Sequence, residues 1–331
     1  MLEIEKENQT QMQREKPFSS LEAVFAACNN FVSNLATVIL GNSEALTAAT
    51  VAVFSGGHLL LEDVPGVGKT TMAKAMSKLI GGKLARIQGN PDLLPSDILG
   101  VRIYSIKNEK WEFHPGPIFS NIILFDELNR TPPRSQSALL ETMEESQVSI
   151  DGQTYQLPKN HLVIATQNPI GHGGTYPLVE SQLDRFLVSA SIGYPDLDTE
   201  TSLVQSRGAD EALSLLKPLF TADELSVYRK KIAEIYVSDK VARYGVEIAA
   251  STRRLPEVTL GASPRASISM ISSAKTLALL HQRDFVIPDD IISATRLCLT
   301  HRLITVDPEA KRVDTIKYLL EKALSKVDIP L

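Results

Sequence analysis

The chain has 331 residues, 43% of them apolar, with 34 basic and 39 acidic side chains and a net charge of −5. That length and composition suit a globular chain of two domains or one large one, and the acidic balance leaves no overall basic footprint for nucleic acid or an anionic membrane. Cys28 and Cys298 are its two cysteines; without C-x-x-C spacing they argue against a zinc module or a disulfide framework and fit a reducing compartment.

Residues 1–16 are mostly Glu, Lys and Gln. They do not read as a secretory signal, and residues 1–17 are expected to be a disordered leader. No apolar run is long enough to span a bilayer, so a soluble cytoplasmic protein follows by elimination. Apolar residues recur at three- and four-residue spacing from Phe18 to Leu40, which predicts a helix.

The run His58-Leu59-Leu60-Leu61 then leads into Pro65-Gly66-Val67-Gly68-Lys69-Thr70-Thr71, and a helix is predicted onward to Ile80. In a strand–glycine loop–helix unit, backbone N–H groups converge on an anion and the helix N-terminus favours it. Lys69 is placed to reach the outer phosphates and the Thr70 hydroxyl to sit on Mg²⁺. The first glycine position of G-x-x-x-x-G-K-[ST] is held by Asp63. A surface Gly-Lys-Thr turn is the plain alternative.

Gly81-Gly82 suits a left-handed helix end. Leu84–Gln88 reads as a strand, Asp92–Leu99 as a short helix, and Val101–Tyr104 with Trp111–His114 as a hairpin. Ile122–Phe125 is a continuous apolar run, expected of a strand covered on both faces. Asp126-Glu127 follows it, where parallel α/β sheets bind ligands. Asp126 suits Mg²⁺, which prefers oxygen ligands, and Glu127 suits polarising a water; an ordinary helix-start pair is the alternative.

Ser135–Glu145 reads as a helix, and Asp151-Gly152 closes a second hairpin between Val148–Ile150 and Thr154–Leu157. Leu162–Ala165 is another buried strand, followed by Thr166-Gln167-Asn168-Pro169; Asn168 can donate to a γ-phosphate or simply open an Asn-Pro turn. Arg185, in Leu183-Asp184-Arg185-Phe186, can be presented to a neighbouring subunit's nucleotide or pair with Asp184 or Glu180. Leu187–Ile192 is the last strand of the set. The alternation implies an α/β fold with a mostly parallel sheet covered by helices on both faces, interrupted by two hairpins.

Residues 194–198 read as a linker, and no strong strand is expected beyond them. Thr221 and Glu224 form a capping box, and Pro288-Asp289-Asp290 and Asp307-Pro308-Glu309 are further helix starts. A smaller all-helical domain over 199–331 follows, after an α/β domain over 18–194. Arg265, in Gly261-Ala262-Ser263-Pro264-Arg265-Ala266, opens a helix there. A cation at a helix N-terminus is unfavourable without a nearby anion, so it either reaches back to the phosphates of its own subunit or is a surface arginine.

From about Val24 onward the chain resembles the MoxR-type AAA+ ATPases. The resemblance rests on residues 59–70, Pro91-Asp92-Leu93-Leu94-Pro95-Ser96-Asp97, Gly116-Pro117-Ile118-Phe119, Asp126-Glu127-Leu128-Asn129-Arg130, Ala165–Pro169, Leu183–Phe186 and Gly261–Ala266. It implies a P-loop three-layer sandwich with an all-α lid. Val64, Pro65, Gly66, Val67, Gly68, Lys69, Thr70 and Thr71 become the Walker A loop. Asp126 and Glu127 become Walker B, Asn168 sensor 1, Arg185 the arginine finger and Arg265 sensor 2. The hairpins correspond to the helix-2 and pre-sensor-1 inserts, and Val38-Ile39-Leu40-Gly41 to the segment beside the adenine. ATP and Mg²⁺ are the implied cofactors. Family members form rings, usually hexameric. They act as chaperone-like ATPases, often with von Willebrand factor A domain proteins, in metal-cofactor insertion or complex maturation.

Two other readings compete. A nucleic-acid motor wants basic hairpin tips, but the first hairpin offers Arg102, Lys107 and Lys110 against Glu109 and Glu112, and the second no basic residue between Val148 and Leu157. A non-hydrolytic scaffold is expected to lack the base or the finger, whereas Glu127 and Arg185 are both present. Tyr104, Trp111, Phe113 and Tyr155 are candidates for gripping a client, though cross-strand packing explains them more simply.

Overall fold

The computed structural model describes residues 20–64, 66–168, 175–205, 209–307 and 313–330. The expected leader, Pro65 of the loop, Pro169, and the Pro308-Glu309 helix start lie outside them. Helix α1 (Leu21–Ala36) begins at Ser20, whose side chain accepts from the Ala23 N–H; α2 (Ser43–Ser55) begins at Asn42, which accepts from the N–H groups of Glu44 and Ala45. Strand β1 (Leu59–Glu62) leads into α3 (Lys69–Ile80), closed by Gly81 at φ 69°, and then β2 (Leu84–Gln88). Helix α4 (Pro95–Leu99) precedes the hairpin β3 (Gly100–Ser105) and β4 (Lys110–Pro115). Then come β5 (Ile122–Asp126), α5 (Pro133–Glu145), the hairpin β6 (Gln147–Ile150) and β7 (Gln153–Gln156), β8 (Leu162–Gln167), α6 (Glu180–Leu183) and β9 (Val188–Ala190).

The five long-range strands form a parallel sheet ordered β2-β5-β8-β1-β9. Glu62 pairs with Gln167 and Gln88 with Asp126, so the carboxyl ends of four strands finish level at one edge. Side chains alternate across the pleat. Leu59, Leu61, Ile122, Leu124, Leu162 and Ile164 join Met72 and Met76 of α3 and the N-terminal helices on one face. Leu60, Ile123, Phe125, Val163 and Ala165 join Leu139, Leu140 and Met143 of α5 on the other. Both sheet faces are therefore covered, as the unbroken apolar strand sequences require.

The helical part contains α7 (Leu197–Gln205), α8 (Ala209–Leu215), α9 (Ala222–Ala233), α10 (Asp239–Thr252), α11 (Pro264–Leu280), α12 (Pro288–Leu299) and α13 (Val313–Leu324). The Thr221–Glu224 capping box is present in both directions. A short antiparallel ribbon of β10 (Val258–Leu260) and β11 (Ile304–Thr305) interrupts the helices. Where no strand was expected, two residues of β11 were too few to leave a period in the sequence.

Helix α2 left no amphipathic period either. Nine of its residues are buried, because α1, α9, α11 and the sheet surround it. An apolar stripe appears only where one face meets water. Phe31, Phe54, Phe220 and Tyr228 stack edge-on around it, linking the sheet's helical layer to the C-terminal helices.

The hairpins dock on each other rather than standing apart. Phe113 of β4 stacks on Tyr155 of β7 with ring centroids 4.1 Å apart. Tyr104 and Trp111 pair edge to face across β3 and β4 at 5.6 Å. Asp151 and Gly152 both take positive φ, 49° and 76°, as a tight two-residue hairpin turn demands.

Three buried histidines make the fold sensitive to acid. His58 donates through Nε2 to the Met143 carbonyl (3.1 Å) and accepts at Nδ1 from the Val163 N–H (3.0 Å). Burial, with His161 nearby, pushes its pKa down to about 3. Burial also lowers His161 and His301. The unfolded chain takes up these protons near the ordinary imidazole value of 6.5, while the fold refuses them. Stability is therefore full above about pH 6.5 and is lost as the pH falls from there toward the folded values. Melting scans should show Tm falling steadily below about pH 6.5; a flat profile down to about pH 4.5 would contradict the burial of neutral imidazoles.

Candidate active site

The phosphate-loop residues line a cleft of about 330 Å³ at the carboxyl edge of the sheet, with Gly66, Gly68, Lys69, Thr70 and Thr71 on one side and Arg86, Gln88, Asp126, Glu127, Thr166 and Asn168 on the other. Gly66 and Gly68 take φ of 92° and 103°, and a Cβ on Gly66 would meet no atom within 4 Å. The loop thus needs glycine for its backbone turn, and the space above it is open to a ligand. Gly68 caps α3 without any side-chain hydrogen bond, so the first N–H groups of the helix face the cleft unclaimed by a capping side chain. Lys69 donates to the loop carbonyls of Asp63 (2.9 Å) and Val64 (3.3 Å), folded back over its own loop.

Asp126 ends β5 with its side chain 9% exposed. One carboxylate oxygen accepts from Arg86 Nε at 2.7 Å and the other from the Thr166 hydroxyl at 3.3 Å. The Thr166 hydroxyl accepts in turn from the Glu127 N–H at 2.9 Å. Glu127 sits at φ 57°, a left-handed turn that swings its side chain out of the strand. Its carboxylate accepts from Arg130 (3.0 Å) and Gln88 (3.4 Å). Gly89 donates to the Asp126 carbonyl at 2.7 Å, and a Cβ there would collide with the Glu127 carbonyl, so the two strand ends close together only over glycine.

The donor set fits Mg²⁺ with a triphosphate. Thr70 and Asp126 supply a hydroxyl and a carboxylate to one cleft. Mg²⁺ favours such sparse oxygen ligation completed by phosphate and water. Among the described residues no cluster of three His, Cys, Asp or Glu forms a self-sufficient metal cage. Asn168 lines the same cleft at the end of β8, and its carbonyl accepts from Asn129 Nδ2. Ile39 is buried with Cδ1 4.0 Å from where a Cβ on Gly68 would lie. Gly41 (φ 93°) packs against Pro195. The 38–41 segment therefore abuts the loop, beside the crossover into the helical part.

Arg185 and Arg265 lie elsewhere. Arg185 pairs with Glu144 at 3.3 Å and donates to the Leu140 carbonyl; Arg265 pairs with the other Glu144 oxygen at 3.2 Å. Neither lines the phosphate cleft, so Arg265 does not reach back over its own subunit's phosphates here. The partner of Arg185 is Glu144 rather than Asp184 or Glu180. Its position is the amino edge of the sheet: the Leu187 N–H donates to the His58 carbonyl, just before β1.

The family model described as "ATPase family associated with various cellular activities (AAA)" matches residues 58–188, and one described as an AAA lid domain matches 250–319. The chain is 43% identical over 301 residues to the uncharacterized protein YeaC of Bacillus subtilis, covering 91% of this chain and 94% of that one. It is 39% identical over 304 residues to Chaperone MoxR1 of Mycobacterium tuberculosis, covering 88% and 80%. The chain belongs to the MoxR family of AAA+ ATPases. A crystal structure of a candidate ATPase from Cytophaga hutchinsonii superposes with a TM-score of 0.84 at 32% identity, covering 97% of this chain and 99% of that one.

As a MoxR-family AAA+ ATPase the chain hydrolyses ATP, and its cleft holds groups that the motifs did not announce. Arg86 and Gln88 alternate on β2, so both side chains emerge on one face beside the Asp126–Glu127 pair. Polar residues two apart on β2 are visible in the sequence, but their place beside the acidic strand comes from the β2–β5 pairing. Asp63, at the missing glycine, accepts from the Ser191 hydroxyl (2.7 Å) and the N–H groups of Ile192 (2.6 Å) and Gly193 (3.0 Å). It fastens the loop's first residue to the chain leaving β9. Asp63→Gly, which restores the motif, should therefore destabilise this MoxR-family fold by about 3 kcal/mol, because buried N–H groups lose a charged acceptor. Urea unfolding measures this; a variant as stable as the parent would show the three bonds to be idle.

Proposed function

We propose that the chain is a Mg²⁺-dependent, ring-forming ATPase that remodels or matures a protein client. In this reading the loop from Val64 to Thr71 cradles the triphosphate, Lys69 neutralises its outer groups, and Thr70 and Asp126 hold Mg²⁺. Glu127 polarises the attacking water and Asn168 orients it against the γ-phosphate, while Ile39 and Gly41 flank the adenine. Residues 18–194 form the nucleotide-binding domain and 199–331 the lid.

Arg185 and Arg265 serve the neighbouring subunit. The observation that carries this is their place in the fold. Arg185 lies level with the start of the strands, whereas the cleft lies at their ends, about 15 Å away along β8 at 3.3 Å per residue. A guanidinium on that edge completes a site only by meeting another copy's cleft. Both arginines share Glu144, so they reach the interface together.

Exposed apolar side chains on the first hairpin favour a protein client over nucleic acid. Ile106 at its tip is 85% exposed and Trp111 61%, and neither binds phosphate. A hexameric ring, a cytoplasmic location and a von Willebrand factor A partner complete the reading. The test is sedimentation together with phosphate release. Mg·ATP should drive assembly, and specific activity should rise with protein concentration. A fully active monomer would overturn the reading.

A further inference from the structure

We propose that Arg302, aided by His301, is a positioning residue that locks the segment carrying Arg185 to the lid, so that finger and lid move as one body. This rests on the reading of Arg185 as a finger acting on the next subunit.

Arg302 follows α12 and is 6% exposed. Its guanidinium donates to the carbonyls of Asp184 (3.1 Å), Phe186 (2.7 Å) and Leu187 (3.2 Å), and to the Asp184 carboxylate at 2.8 Å. It also donates to the Cys298 carbonyl and the Ser269 hydroxyl of its own lid. The backbone on both sides of Arg185 is thus fastened by one planar fork, which a compact ammonium cannot reproduce. His301 adds a second fastening. Its Nε2 donates to the Phe186 carbonyl at 3.1 Å, leaving Nδ1 to accept from the Ser189 hydroxyl at 3.0 Å.

The Asp184 carboxylate joins the two arginine-bearing elements. It accepts from the Ser263 hydroxyl at about 3.0 Å as well as from Arg302. Ser263 is the N-cap of α11, accepting from the Ala266 N–H, and Arg265 stands two residues beyond it. A rotation of the lid therefore carries Arg265 directly and Arg185 through Arg302. In a ring, a lid movement driven by one subunit's nucleotide then resets the cations presented to the next subunit's site.

The test is Arg302→Lys in mixed assemblies. Alone it should lower kcat at least tenfold with little change in KM for ATP, since its own cleft is intact. Mixed with Lys69→Ala, whose finger is whole, activity should recover; mixed with Arg185→Ala it should not. Asp184→Asn, which keeps the shape and removes the charge, should give the same directional pattern and serves if Arg302→Lys fails to fold. Wild-type kcat in both variants overturns the proposal. So does a loss that Lys69→Ala fails to rescue while the same partner rescues Arg185→Ala. If Lys69→Ala cannot rescue Arg185→Ala either, the finger reading itself fails.

Discussion

Glu127→Gln should leave ATP binding intact and lower hydrolysis by about 10²–10⁴-fold, the usual contribution of a positioned base. The side chain lies outside the phosphate loop, so removing its charge leaves the amides of that loop and Lys69 untouched. Its place is set by the backbone: the left-handed turn at φ 57° and the N–H bond to Thr166 hold Cα whatever the side chain. Glutamine keeps the length and one acceptor for Arg130, which now sits 3.0 Å from the carboxylate. What it loses is the basicity that the proposed mechanism assigns to drawing a proton from water. Binding of a fluorescent ATP analogue, measured beside phosphate release, separates the two effects. Turnover near wild type would remove Glu127 as the water-polarising group. The arrested variant should also hold any client in its ATP-bound state and allow it to co-purify.

The sheet was legible because its central strands β1, β5 and β8 are apolar on both faces, and the loop because phosphate chemistry restricts its residue types. Gly66, Gly68, Lys69 and Asp126 announce themselves for that reason. The hairpins were legible from alternation and, at Asp151-Gly152, from turn chemistry. Helix α2 was not, because burial on all sides erases the period that marks a helix. Arg86 entered the site through strand order. β2 and β5 are neighbours in the sheet and not in the sequence, and no spacing rule brings Arg86 to Asp126. Arg265 stands against Glu144 rather than over the cleft for a related reason: the helix start is visible in the sequence, but its direction relative to the sheet depends on how the lid docks. Asp63 broke a motif and turned out to hold three bonds that the motif does not describe.

Arg185→Ala should leave ATP affinity nearly unchanged and lower hydrolysis in the assembled state by about 10³-fold or more, the scale of arginine fingers in phosphoryl transfer. The side chain makes no contact with its own cleft, so binding there has no reason to fall. Stability should fall by no more than about 1 kcal/mol, because the Arg185–Glu144 pair is partly exposed and such pairs contribute little; Glu144 also keeps Arg265 as a partner. The two costs therefore separate: melting temperature and nucleotide binding stay close to the parent while turnover collapses. Subunit exchange decides the direction. An assembly mixed with Lys69→Ala contains interfaces in which an intact Arg185 faces an intact cleft, and those interfaces should restore phosphate release in proportion to their number. A subunit acting on its own nucleotide would gain nothing from mixing. Activity equal to wild type in the unmixed Arg185→Ala protein would show that charge on the transferring phosphoryl group is met from within one subunit, and Arg86, already 2.7 Å from Asp126, would be the guanidinium best placed to meet it.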